Sequence, residues 1–192
     1  AMAESTDAAA ARRAAILDAA RAVFLRYGFK KTSMDDLARA AGLSRQGLYL
    51  HYRTKEELFR AAVQHLIEAT RAAGKAALAG DDDIEARLLA AFEAVHGLSI
   101  GQFAPEHMAE LLATTLQIVG PVYAEYEAGF VADVARALRG AGVAARWKDV
   151  GVSAQDLAEH LHDASYGIKH RVATPAEYRD HMRVAVRVVC RR

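Results

Sequence analysis

Apolar residues recur along this chain three and four positions apart, and that spacing predicts helices from end to end. Over residues 12–27, Ile16, Ala20, Val23 and Tyr27 share one stripe, flanked by Leu17 and Phe24, and Gly28 follows where a C-terminal cap belongs. Ser33 opens a second helix to about Ala41, with Asp35 and Asp36 in the first turn, where the helix dipole favours carboxylates. Gly42 turns the chain, Leu43 is an apolar plug, and Ser44 caps a third short helix. Thr54 with Glu57 forms a T-x-x-E capping pattern for a longer fourth helix, in which Leu58, Ala62, His65 and Ala69 keep helical spacing towards Gly80.

The pattern then continues through five more helices. The fifth covers about 84–97, after the acidic break "GDDD". "GLSIGQF" reads as a loop, and Pro105 sits as the first residue of a sixth helix. Gly120-Pro121 interrupts the chain before a seventh helix to about Leu138, and "RGAGVAARWKDVGV" reads as a loop. Ser153 with Asp156 starts an eighth helix, and Thr174-Pro175-Ala176-Glu177 a ninth, to about Val189. No strand pattern and no internal repeat is seen. The expected fold is therefore all-α with about nine helices. Residues 1–11 are expected as a disordered N-terminal arm, 12–57 as a small first domain and 58–192 as a second.

Charge sharpens this division. The net charge is only +1, yet residues 12–60 hold 11 Lys+Arg against 5 Asp+Glu. A basic first third on an otherwise slightly acidic chain points to a polyanionic partner. The 53% hydrophobic content supports a core without staples, and the single cysteine, Cys190, excludes an internal disulfide and a cysteine-based zinc site. No apolar run approaches the roughly 18–20 residues of a membrane span. With no basic-then-apolar leader, the expected location is the cytoplasm.

Helices two and three have the lengths and the turn of a helix-turn-helix, whose second helix enters the DNA major groove. On helix three, Leu48 points to the core and Tyr52, four further on, suits either the core or the outer face, leaving Arg45, Gln46 and Tyr49 outward. Arg45 can read guanine and Gln46 adenine through paired hydrogen bonds, and Gly47 lets the backbone approach. Tyr49 and His51 suit a phosphate or a thymine methyl. Lys55, Thr32 and Ser33 lie at helix starts, where free N–H groups attract anions. The same pattern also fits a helical hairpin whose polar face is merely solvated.

The stretch "TSMDDLARAAGLSRQGLYLHYRTKEELFRAAV" resembles the helix-turn-helix of TetR-type (tetracycline-repressor-like) transcriptional regulators. The likeness runs through Thr32, Asp36-Leu37-Ala38, Gly42, Leu43, Gly47, Tyr49, His51-Tyr52 and Lys55 to Leu58. Phe24, Gly28, Phe29, Thr32 and Ser33 continue it into the first helix. It covers about residues 12–63. The chain departs from the family at Leu50, often a residue able to reach DNA, and at Tyr52, usually phenylalanine. The resemblance implies that Arg45, Gln46 and Gly47 face bases. It implies that Thr32, Ser33, Ser44, Tyr49, His51, Tyr52 and Lys55 contact or position phosphates, with Tyr52 equally suited to the core. It further implies a ligand-responsive regulator, most often a repressor, that binds a palindromic operator in double-stranded DNA as a homodimer.

The rest of the chain is less specific. Phe92, His96, Phe103, Met108, Leu112, Thr115, Tyr123, Tyr126, Phe130 and His162 mix aromatic, apolar and polar groups as a pocket for a small apolar or aromatic effector does, though each alone also suits a plain core. Leu157, Leu161 and Ile168, with Tyr178, Met182, Val186 and Val189, form two apolar stripes that can pair within the chain or with a symmetry mate. His160 and His162 are two apart and do not share a helix face, so no metal site is expected. No catalytic serine turn, P-loop or dinucleotide fingerprint is present, so neither an enzyme nor a cofactor is expected.

Overall fold

The computed structural model describes residues 2–102 and 105–191, with side chains described from residue 7 to 102 and from 107 onward. It is all-helical, with no strand among the described residues. The α-helices are α1 (Met2–Tyr27), α2 (Met34–Ala40), α3 (Arg45–Tyr49), α4 (Lys55–Leu78), α5 (Ile84–Val95), α6 (Pro105–Gly140), α7 (Ala154–Lys169) and α8 (Pro175–Cys190). Contacts divide the chain into two compact units. One takes in Ala1–Glu68 and Phe103–Tyr123, the other Ala69–Gln102 and Ala124–Arg192.

The first unit packs α1, α2, α3, the start of α4 and the first part of α6 around one core. Ile16, Leu17 and Phe24 meet Leu37, Leu48 and Leu58, all nearly fully buried. Phe59 meets Phe24 and Phe29 edge-on, at 5.1 and 5.2 Å between ring centres, a favourable aromatic geometry. Leu111 of α6 completes this core. The unit is thus larger than the small domain expected at residues 12–57, because α6, which begins only at Pro105, lends it a helix.

Two expectations change here. α1 begins at Met2, where a disordered arm to residue 11 is expected. Its first turns contain Ala8, Ala9, Ala10 and Ala11, a run with the highest intrinsic helix propensity, so the helix extends with residues 7–13 facing solvent. The break expected at Gly120-Pro121 is a kink inside α6, with Val119 at φ −132° and ψ 22°. Pro121 lacks an N–H and its ring crowds the carbonyl one turn back, which bends the helix just before it. Counted across this kink, α6 is the expected sixth and seventh helices joined.

The second unit is built on α5, α7 and α8. Tyr178, Met182, Val186 and Val189 of α8 are all at most 2% exposed, against Phe92 and Leu88 of α5 and Leu157, Leu161 and Ile168 of α7. Gly97 makes room for this packing, since a Cβ there would stand 2.8 Å from the Tyr178 ring. The seven residues predicted for a dimer interface are therefore core residues of a single chain. Periodicity marks a buried stripe correctly but does not say what buries it, and here α5 supplies the partner face. Both segments expected as loops, after α5 and after α6, hold 3-10 turns, Gly97–Ser99 and Ala144–Val150.

Candidate nucleic-acid interface

α2 starts with reciprocal capping. The Ser33 hydroxyl accepts from the Asp36 N–H at 3.2 Å, and the Asp36 carboxylate accepts from the Ser33 N–H at 3.0 Å and from its hydroxyl at 2.6 Å. These bonds, the hydroxyl's first, hold the Asp36 carboxyl below the usual carboxylate range. After α2, Gly42 at φ +67° lets the chain reverse, and the Leu43 N–H donates to the Ala38 carbonyl at 2.9 Å. Ser44 then caps α3 by accepting from the Gly47 N–H at 3.0 Å. A Cβ on Gly47 would lie 3.1 Å from that Ser44 hydroxyl, so the glycine protects the cap as well as thinning the outer face.

Leu48 is the buried anchor of α3. Facing solvent are Arg45, Gln46, Tyr49, Leu50 and His51, with Leu50 83% exposed and Gly47 half-buried. The Arg45 guanidinium reaches the Asp35 carboxylate at 3.1 Å and lies 5.7 Å above the Tyr49 ring. Both members of that pair are at least half exposed, so the bond is worth little and leaves Arg45 free to exchange partners. The contact joins Asp35, in the first turn of α2, to the exposed face of α3.

Three residues predicted to touch phosphates point inward. Thr32 is 3% exposed and donates its hydroxyl to the Gly28 carbonyl at 2.6 Å. Tyr52 is 7% exposed, packed in the core behind α3. Lys55 donates from Nζ to the carbonyls of Phe29 at 2.8 Å and Thr32 at 3.0 Å, with its ammonium 4.3 Å from the centre of the Phe29 ring. The turn between α1 and α2 offers carbonyls with no helical partner, and these capture the ammonium that sequence alone leaves pointing to solvent. Ser33, Ser44, Tyr49 and His51 remain on the exposed side.

The same turn has one further support that the sequence does not announce. The Lys30 N–H donates to Glu110 Oε1 at 2.7 Å, across 80 residues. Gly28, at φ +78°, sits against Glu110 and His107, and a Cβ there would come within 2.7 Å of Glu110 Oε2. Lys55, Thr32 and Glu110 together fix the turn that delivers Ser33 to the start of α2.

The predicted pocket residues fall in both units. Met108, Leu112, Thr115 and Tyr123 are half-buried on the part of α6 that belongs to the first unit, and Thr115 bonds back to the Leu111 carbonyl. Phe103 lies outside the described residues. Phe92, His96, Tyr126, Phe130 and His162 belong to the second unit. There Phe92 and Phe130 meet edge-on at 5.1 Å, and the His96 ring lies 6.3 Å from Phe130 and 5.5 Å from His162. His96 Nδ1 is 2.6 Å from the Ser165 hydroxyl, which is 2.5 Å from the Tyr178 hydroxyl, itself a donor to the Phe92 carbonyl. Burial, and then the nearby Lys169 charge, push the His96 imidazole down to about 3. His162 Nε2 faces Glu127 Oε1 at 3.8 Å. No helix among the described residues is long and apolar enough to cross a membrane.

Comparison with known proteins places this geometry. Residues 16–62 match the family model described as "Bacterial regulatory proteins, tetR family". An HTH-type transcriptional repressor of Mycobacterium tuberculosis, Rv1474c, is 33% identical over 114 residues, 59% of this chain and 52% of that protein. An uncharacterised HTH-type transcriptional regulator of Bacillus subtilis, YfiR, is 45% identical over 53 residues, 28% of this chain and 26% of its own length. The chain thus spans about half, or less, of the length of these relatives. In fold, a TetR-family regulator structure from Rhodococcus sp. superposes with a TM-score of 0.68 at 22% identity, covering 93% of this chain and 98% of that one. A structure described as a SmeT–triclosan complex gives a TM-score of 0.62 at 21% identity, covering 93% and 90%. The helix-turn-helix of α2 and α3 thus lies within the segment that matches the tetR family model, and the all-helical fold matches TetR-family structures over nearly the whole chain.

Proposed function

We propose that this chain is a DNA-binding transcriptional regulator that docks α3 in the major groove. The observation that carries the reading is the outer face of α3. Arg45, Gln46 and Tyr49 are exposed there, while Leu48 behind them is buried. A five-residue helix needs such backing to present side chains to base edges in a fixed register. Arg45 reads guanine and Gln46 adenine, and Ser33, Ser44, Tyr49 and His51 hold the backbone. Thr32, Tyr52 and Lys55 support from behind.

The regulator works as a homodimer on a palindromic operator, most simply as a cytoplasmic repressor. Since the inward stripes of α7 and α8 are used within the chain, the mating surface is their outward side, where Tyr166, Val184 and Val188 are 39%, 63% and 61% exposed. A two-fold contact there sets the spacing of two half-sites. The second unit senses a small apolar or aromatic effector beside Phe92, Phe130, His96 and His162. The described complex of SmeT with triclosan gives a structural relative with that class of ligand. Effector and DNA then oppose each other through reciprocal coupling. Footprinting on the DNA flanking the protein's own gene tests this reading. Protection of a two-fold symmetric site, lost on adding effector, is the expected result, whereas uniform binding to any duplex would remove the specific-regulator reading.

A further inference from the structure

We propose that a cleft in the second unit binds an organic anion with an apolar body, such as an alkyl carboxylate or alkyl phosphate, at a site distinct from the Phe92–His162 cluster. The cleft has a volume of about 530 Å³ and is bounded by the end of α4, α5 and the C-terminal half of α6. Leu78 and Ala137 form its apolar floor, and Lys75, Arg87 and Arg136 line it together with a single carboxylate, Asp133.

The charges do not cancel. Arg136 Nη1 bonds Asp133 Oδ1 at 2.6 Å, which settles one cation against the one anion. Lys75 and Arg87 are left as the net charge of the cleft. Arg87 is held in place, since its Nη1 donates to the Leu78 carbonyl at 3.0 Å and caps the end of α4. Its Nε is buried without a hydrogen-bond partner. The guanidinium nonetheless lines the cleft, and a charged oxygen is the acceptor that suits it best. One turn before Lys75, Arg71 lies over Gly129 of α6, where the lack of a side chain leaves its guanidinium room. The chemistry therefore selects a negatively charged head near Arg87 and Lys75 and an apolar tail against Leu78 and Ala137. A volume in this range suits a small organic molecule rather than a bare ion.

The site does not depend on the DNA-binding reading, and calorimetric titration of the full chain tests it without DNA. Octanoate and octyl phosphate are the probes, with 1-octanol and inorganic phosphate as controls. Saturable binding of either amphiphile, at one per chain, is expected. Lys75→Met and Arg87→Met should each weaken it about tenfold or more, and Asp133→Asn should tighten it. Because Arg87 also caps α4, the exposed Lys75 and the Asp133→Asn change carry the test if Arg87→Met fails to fold. Equal binding of 1-octanol would overturn the role of charge, and equal binding of inorganic phosphate would overturn the role of the floor. No saturable binding, or binding indifferent to Lys75→Met and Asp133→Asn, would overturn the site itself.

Discussion

The ammonium of Lys55 rests 4.3 Å from the centre of the Phe29 ring while donating to the Phe29 carbonyl at 2.8 Å. A residue at the entrance to α4 thereby grips the turn that ends α1. This assigns Lys55 to the frame of the helix-turn-helix unit rather than to its outer face. Lys55→Met should lower stability by about 1–3 kcal/mol, since two charge-assisted hydrogen bonds are lost. Chemical denaturation measures this directly. An unchanged unfolding midpoint, with only DNA affinity reduced, would return Lys55 to the phosphate contacts.

Gly28 is constrained twice, by φ +78° and by the Glu110 carboxylate that lies where its Cβ would be. Gly28→Ala should cost about 1–2 kcal/mol from the backbone conformation alone. Removing the obstacle with Gly28→Ala/Glu110→Ala should recover only the steric part, because the left-handed conformation remains. Glu110→Ala alone reports the Lys30 bond that this change also removes, so thermal melts of all four proteins separate the contributions, and a double variant as stable as Glu110→Ala would mean that the backbone conformation costs nothing.

His96 sets an acid limit on the second unit. Its folded value of about 3 lies below the ordinary 6.5, so between these values the unfolded chain binds a proton that the folded chain refuses. Stability is therefore whole above about pH 6.5 and declines as pH falls, by up to about 1.4 kcal/mol per pH unit from this group. His96→Asn should flatten that slope between pH 6.5 and 5, at some cost in stability at pH 7 from the altered Ser165 contact. Denaturation midpoints across this range check it. An identical slope in the variant would shift the acid sensitivity to other groups.

Leu50 is the most exposed large apolar side chain described, at 83%, beside the exposed face of α3. Leu50→Ala should leave the melting temperature unchanged. If the leucine covers a thymine methyl, operator affinity should fall by about 1 kcal/mol, the scale of burying a methyl group or two. Substituting uracil for thymine in the half-site should reproduce that loss in the wild type and add nothing in the variant. No loss from either change would make Leu50 a silent position.

What could be read from the sequence follows from distance along the chain. The caps at Ser33, Ser44, Ser153 and Thr174 were legible because each acts three residues away, and all four side chains accept the expected N–H. Gly28 and Gly42 were legible as turn residues, and both have positive φ. The stripes of α7 and α8 were legible as buried, but not as buried within the chain, because their partner α5 lies more than 60 residues earlier. Thr32, Tyr52 and Lys55 carry the right chemistry for phosphate, yet tertiary contacts turn them inward. Glu110 gave no local signal, since its role rests on a bond across 80 residues. The cleft at Arg87 was equally silent, because its charges come from three helices.

The central claim is that the exposed face of α3 reads DNA sequence, and Arg45 tests it most directly. Fluorescence anisotropy would compare binding to the footprinted operator and to a scrambled duplex, for wild type and Arg45→Ala, at two salt concentrations. The wild type should prefer the operator by a factor of about a thousand or more. Arg45→Ala should lose about 1–3 kcal/mol of that preference at guanine positions while its affinity for the scrambled duplex changes far less. An equal drop on both duplexes, with the preference intact, would make Arg45 a general backbone contact and contradict base reading by this face.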